Sequence, residues 1–195
     1  VGNHESRNYD NFATHFNLPN LSATGAKPDG SVYAFDYGPV HFMVLNTEYS
    51  GVSSSEADRA IYEKQVEWLR SEAANTDQKW KVVVQHKAPY SIANHVNDKD
   101  VVDFRANLTK VFDELDIDMV LSGHDHTYTR SYQMYNNEPL TDIAADADGL
   151  VTDPKGTLYL ITNAAGNKMY QPKAGPFAYA AKSGQPNLPM FTGFK

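Results

Sequence analysis

The chain has 195 residues, of which 41% are hydrophobic, enough for one domain with a sizeable core and too few for two. Its formal charge of −7 excludes the basic face of a general nucleic-acid binder, so no nucleic-acid partner is expected; an anionic substrate would need local cations that reverse the sign. The absence of cysteine excludes disulfides, thiolate metal ligands and cysteine nucleophiles, and no stretch reaches the roughly 18–20 apolar residues of a membrane span.

The chain opens at Val1 inside what reads as a strand-to-loop motif and closes at Lys195 after an apolar-aromatic run. Truncation at both ends is therefore expected. Residues 32–37 and 40–47 are apolar runs separated by Gly38-Pro39, which predicts a strand, a turn and a second strand. A Ser/Gly-rich loop over 50–55 leads into a helix over 56–75, where Tyr62, Val66, Leu69 and Ala73 share one face. Residues 80–85 carry Val82-Val83-Val84, the continuous apolar run of a buried strand, with His86 directly after it.

A second helix is predicted over 100–115 from Val101, Phe104, Leu108, Val111 and Leu115. A short buried strand over 119–121 then runs into Ser122-Gly123-His124, and further strands are expected over 128–134 and 157–162. The loop over 136–155 is acidic and expected to be exposed. The Gly, Pro, Ala and Tyr-rich tail beyond Asn163 gives no element. Alternating strand and amphipathic helix reads as layered α/β. The histidine-bearing loops follow the carboxyl ends of buried strands, the edge at which open α/β sheets bind ligands.

Four polar clusters carry the chemistry: Gly2-Asn3-His4-Glu5, His86, His95 and Gly123-His124-Asp125-His126. In Gly-His-x-His two imidazoles can face one cavity, and neutral imidazole is a borderline ligand for Zn, Fe or Mn. A His-x-His pair by itself is weak evidence and more often reads as exposed polar loop residues than as a metal site. The ordered set is far more specific. Gly-Asn-His-Glu, a histidine ending a Val-rich strand, and Gly-His-x-His resemble the last three of the five blocks of the calcineurin-like metallophosphoesterase signature.

Within that superfamily the segment Val82-Val83-Val84-Gln85-His86-Lys87-Ala88-Pro89-Tyr90 and the run from Gly123 to Arg130 are most similar to purple acid phosphatases. The resemblance spans Gly2 to about Arg130 and extends toward Gly166-Asn167. It implies a layered β-sandwich flanked by helices, with residues 1–195 a single partial catalytic domain. It implies that Asn3, His86 and His124 bind one metal and His126 a second. It further implies that His4 contacts the phosphate and protonates the leaving group, and that His95 also contacts the phosphate. Asn94-His95-Val96 departs from the plant-type pattern of two adjacent histidines.

The implied reaction is hydrolysis of phosphate monoesters by a metal-activated hydroxide between two metal ions (Fe, Zn or Mn), with a small phosphorylated substrate. Phosphodiester or nucleotide hydrolysis is the near alternative. An inert binding or structural domain is the alternative from another class. The Asp and Tyr ligands of the family's upstream blocks do not precede Val1, so an upstream segment or a second chain is expected to complete the site. An extracellular or cell-surface location is the expectation that the resemblance carries.

Other polar residues read as structural. His41 alternates with Val40 and Phe42 in a strand, and His15 reads as helix surface or packing. Asp125 is expected to point away or to support its neighbours, and Tyr128 and Arg130 to brace the loop. Tyr170, Phe177, Tyr179, Phe191 and Phe194 read as core or wrapping. Asn20-Leu21-Ser22 and Asn107-Leu108-Thr109 fit the glycosylation pattern, a short and weak signal.

Overall fold

Val82-Val83-Val84 lies at the centre of a mixed sheet. The computed structural model describes residues 1–17 and 24–194, so the Asn20-Leu21-Ser22 triplet lies outside the described residues. The strands are β1 (Tyr33–Tyr37), β2 (Val40–Val44), β3 (Trp80–Lys87), β4 (Met119–Gly123), β5 (Tyr128–Tyr135), β6 (Glu138–Leu140), β7 (Thr157–Thr162) and β8 (Ala180–Gly184). They run in the order β1-β2-β3-β4-β7-β5-β6, with β8 paired to β5. The β2, β3, β4 and β7 ladders are parallel, and the outer ones are antiparallel. The fold class is α/β, a central multi-strand sheet flanked by helices, as the alternation of elements predicts.

The helices are α1 (Tyr9–His15), α2 (Glu56–Asn75) and α3 (Lys99–Glu114). Ser55 caps α2 by accepting the Asp58 N–H at 3.1 Å, which satisfies one of the free donors of the first turn. Leu69 of α2 and Leu108, Val111 and Phe112 of α3 pack with Met43, Val83, Val120 and Tyr159 in one core cluster. Each such side chain contributes about 1.5–3 kcal/mol by leaving water. Both helices thus cover the same face of the parallel strands. On the other face Phe35 and Phe42 stack at 5.0 Å, and Phe35 and Tyr37 remain 42% and 77% exposed.

Several boundaries differ from expectation for local reasons. β2 ends at Val44 rather than at 47, because side chains take over the backbone bonds there. Gln65 accepts from the Asn46 N–H and donates to the Asn46 carbonyl, both at 2.9 Å. β3 continues to Lys87, so His86 sits within the strand instead of after it. A short strand, β6, lies in the region expected to be loop. Asn136 and Asn137 take φ values of 51° and 62°, the left-handed pair that closes a two-residue hairpin between β5 and β6. The remainder of that loop, from Thr141 to Asp153, is largely exposed as expected.

β8 arises in the tail, where the sequence Ala-Ala-Lys-Ser-Gly shows no apolar alternation. The Asn107-Leu108-Thr109 triplet lies inside α3. There Asn107 Nδ2 is bonded to Asp103 and Thr109 is buried with its hydroxyl donating to the Arg105 carbonyl. That conformation withholds the triplet from a surface loop.

Candidate metal centre

The carboxyl ends of β2, β3 and β4 form the edge on which the histidines gather. Lys87 pairs with Gly123 while Gln85 pairs with Ser122, so His86 is the extra residue of a β-bulge. A bulge next to a site re-aims a side chain, and here it turns His86 toward the N-terminal segment. A Cβ on Gly2 would stand 2.8 Å from the His86 ring, so only glycine permits this approach. Lys87 locks the bulge from behind. Its N–H donates to Thr47 Oγ1 at 3.0 Å, and its buried ammonium pairs with Asp100 at 2.8 Å and lies 3.8 Å from Glu48.

Asn3 and His124 both lie against His86. His86 Nε2 lies 2.9 Å from Asn3 Oδ1 and 3.1 Å from His124 Nδ1. Ligands about 2.1 Å from one cation, at right or tetrahedral angles, stand about 3.0–3.4 Å apart, so each of these two contacts is close to the spacing of a pair of donors to a shared ion. Burial, and then the neighbouring His124, lowers the His86 pKa to about 3. Burial, and then His95, lowers that of His124 to about 4. Both rings are neutral near pH 7, with lone pairs available to a metal. His124 holds a φ of 68°, a left-handed conformation that costs a non-glycine residue energy and is typical of functional sites.

His126 leaves this trio and turns to the tail. Its Nδ1 donates to the Lys168 carbonyl at 2.6 Å, and its ring stacks on Tyr170 at 4.6 Å and 8°. A proton fixed on Nδ1 leaves Nε2 as the free ligand atom, the usual arrangement behind a metal-binding histidine. Among the described residues His126 belongs to no group of three clustered His, Asp or Glu ligands.

His95 lies over His124 with ring centroids 3.9 Å apart. Its Nδ1 faces Asp98 Oδ2 at 2.6 Å, which leaves Nε2 free. His95, Asp98 and His124 also bring ligand atoms within 4.8 Å of one another. Between this trio and the Asn3 trio, the second fits a cation better. Its members are more enclosed, whereas Asp98 is 46% exposed and already engaged with His95. His4 is exposed just before the short 3-10 turn (Glu5–Arg7), and its side chain has no hydrogen-bond partner among the described residues. A cavity of about 370 Å³ opens on the His86 side, lined by Gly2, Glu5, Val84, His86, Leu121 and Gly123 among others.

Three contributors were not legible from pattern. Asp98 could have been suspected only from its place three residues after His95, just before α3. Tyr170 and the Lys168 carbonyl reach the site through tail packing, which no local signal announces. His41 is buried and bonded to Asp36 at 2.6 Å, and His15 is exposed at the end of α1; both read as structural, as expected. Arg130 is exposed on β5 instead of bracing the loop, because alternation turns its side chain outward between buried Thr129 and Ser131. Tyr179 joins the core margin, whereas Phe191 and Phe194 are 92% and 59% exposed.

An α/β sheet that presents clustered neutral histidines at its carboxyl edge places a candidate metal centre where open α/β sheets bind ligands. The calcineurin-like phosphoesterase family profile matches residues 1–128, and the chain belongs to that family. Family membership implies divalent metal ions. The chain is 28% identical over 185 residues to an uncharacterised protein of Mycobacterium tuberculosis, covering 85% of this chain and 34% of that protein. It is 24% identical over 180 residues to acid phosphatase type 7 of Mus musculus, covering 85% and 39%. It therefore spans little more than a third of the length of these relatives. The purple acid phosphatase from yellow lupin (Lupinus luteus) seeds superposes with a TM-score of 0.63 at 19% identity, over 88% of this chain and 28% of that one. That likeness concerns the fold. No helix among the described residues is long and apolar enough to cross a membrane.

Proposed function

We propose that this chain is the histidine-bearing part of a two-metal hydrolase of phosphate monoesters, a single partial catalytic domain. The convergence of Asn3 Oδ1, His86 Nε2 and His124 Nδ1 carries the reading. These three atoms hold one cation, and His126 Nε2 supplies a ligand to the second. When bound, such cations polarise the phosphoryl oxygens and acidify water.

The chain's own groups do the rest. Asn3 contributes a neutral oxygen, so the donor set adds no negative charge to repel phosphate. His95, with Nδ1 held by Asp98, presents Nε2 to a phosphoryl oxygen. His4, exposed beside Asn3, is free to swing to the leaving-group oxygen and deliver a proton. Three neutral donors hold a cation less firmly than a set with carboxylates, so an upstream segment or a second chain supplies acidic ligands. The substrate is a small phosphorylated molecule, and the location is extracellular or at the cell surface.

The test is hydrolysis of 4-nitrophenyl phosphate against bis(4-nitrophenyl) phosphate by the metal-supplemented protein and its His124→Ala and His126→Ala variants. The reading expects monoester turnover that falls at least about a hundredfold in each variant. Preference for the diester would favour the phosphodiesterase alternative. Turnover untouched by both substitutions would show that these histidines do no catalysis, and absent turnover in the wild type would favour the inert-domain alternative.

A further inference from the structure

Asp125 lies between His124, which joins the cluster, and His126, which turns to the tail, yet its own side chain turns inward and is 1% exposed. Its carboxylate accepts a hydrogen bond from the Ser91 hydroxyl. It also accepts the His95 N–H, at 3.1 Å to Oδ1 and 3.2 Å to Oδ2. Ser91 is equally buried. Its Oγ also accepts from the Ala93 N–H at 3.2 Å, and its carbonyl accepts from the Tyr179 hydroxyl.

Residues 88–98 form neither helix nor strand, so no ladder fixes this turn against the neighbouring loop. Charge-assisted bonds to a buried carboxylate are about twice as strong as neutral ones, and a buried carboxylate stripped of them is costly. The turn that carries His95 follows β3, whereas the loop that carries Asp125 follows β4. Joining them brings the His95 ring to 3.9 Å from His124.

We propose that Asp125 is a positioning residue: it clasps the turn after β3 to the Gly-His-x-His loop and thereby sets His95 over the metal-ligand cluster. The functional value of that placement rests on the reading of His95 as a phosphate contact. The clasp itself is a statement of geometry and can be tested apart from it.

The experiment compares the metal-free chain with Asp125→Asn, Asp125→Ala and Ser91→Ala by NMR. It follows amide exchange at His95 and the cross-relaxation between the His95 and His124 rings. A Val83→Ala core variant serves as the control for general destabilisation. Asp125→Ala should speed exchange of the His95 amide by more than about tenfold and abolish the ring contact. Asp125→Asn, which can still accept from His95 N–H, should keep both, as should Val83→Ala.

A protected His95 amide and an intact ring contact in Asp125→Ala would overturn the proposal. Should that variant fail to fold, Ser91→Ala decides: it removes one partner of the carboxylate, and unchanged exchange at His95 would count against the clasp. Titration of inorganic phosphate into the Zn²⁺-loaded chain separates the two ideas. If His95→Ala leaves phosphate affinity unchanged, the phosphate role falls and the clasp stands on the NMR result. If His95→Ala weakens phosphate binding and Asp125→Ala does not, the clasp falls.

Discussion

His86 and His124 are kept neutral by burial first and by their histidine neighbours second. A histidine in an unfolded chain titrates near 6.5, whereas these two titrate near 3 and 4 when folded. Between pH 6.5 and about 3 the unfolded chain takes up protons that the folded chain refuses, so stability falls as pH falls. Above pH 6.5 both states are neutral at these sites and the contribution is flat. Urea unfolding of the metal-free chain should therefore show a midpoint that drops between pH 7.5 and 4.5. The drop should be smaller in His124→Asn, where asparagine tolerates the left-handed backbone. Equal drops in both would show that His124 is not held neutral by the fold. The residue types at this site were readable from the sequence, because the family pattern places Asn and His at each position. Their spacing was not, since it depends on a bulge at His86 and on the absence of a Cβ at Gly2.

Elements built on strong periodicity were the most legible. The helical face of Tyr62, Val66, Leu69 and Ala73 predicts α2 with the bounds observed, and the continuous valines predict β3 at the sheet's centre. Elements whose stability comes from pairing were hidden. β8 has no apolar alternation and forms because β5 offers it a free edge. β6 contains Pro139 and depends on the Asn136-Asn137 turn, a hairpin signal when both residues can take positive φ. That turn carries a test. Asn136→Gly should leave stability within about 0.5 kcal/mol of wild type, while Asn136→Val should cost about 1–2 kcal/mol, because a β-branched residue resists left-handed φ. Thermal unfolding of the two variants checks this, and an indifferent Val variant would show that the hairpin is not held by its turn. Asn137 is less suited to the comparison, since its Oδ1 also accepts from the Tyr90 hydroxyl.

Across the whole molecule, the proposed anionic substrate and the net negative charge of the chain are reconciled only if cations sit at the histidine edge. The sheet places that edge where three parallel strands end together. The helices cover one face and the tail folds back to supply Tyr170 and the Lys168 carbonyl to His126. Family membership was legible because its motifs are short and local. The participation of the tail was not, because it is a consequence of packing between distant segments.

Calorimetric titration of Zn²⁺ into the purified chain decides whether Asn3, His86 and His124 form one cation site, as proposed. About one ion should be taken up per chain, with protons released only below about pH 5, where the ligands begin to be protonated. Affinity should fall by more than about tenfold in His86→Ala and in His124→Ala. Zn²⁺ binding of equal strength and stoichiometry in the wild type and both variants would contradict the proposed site.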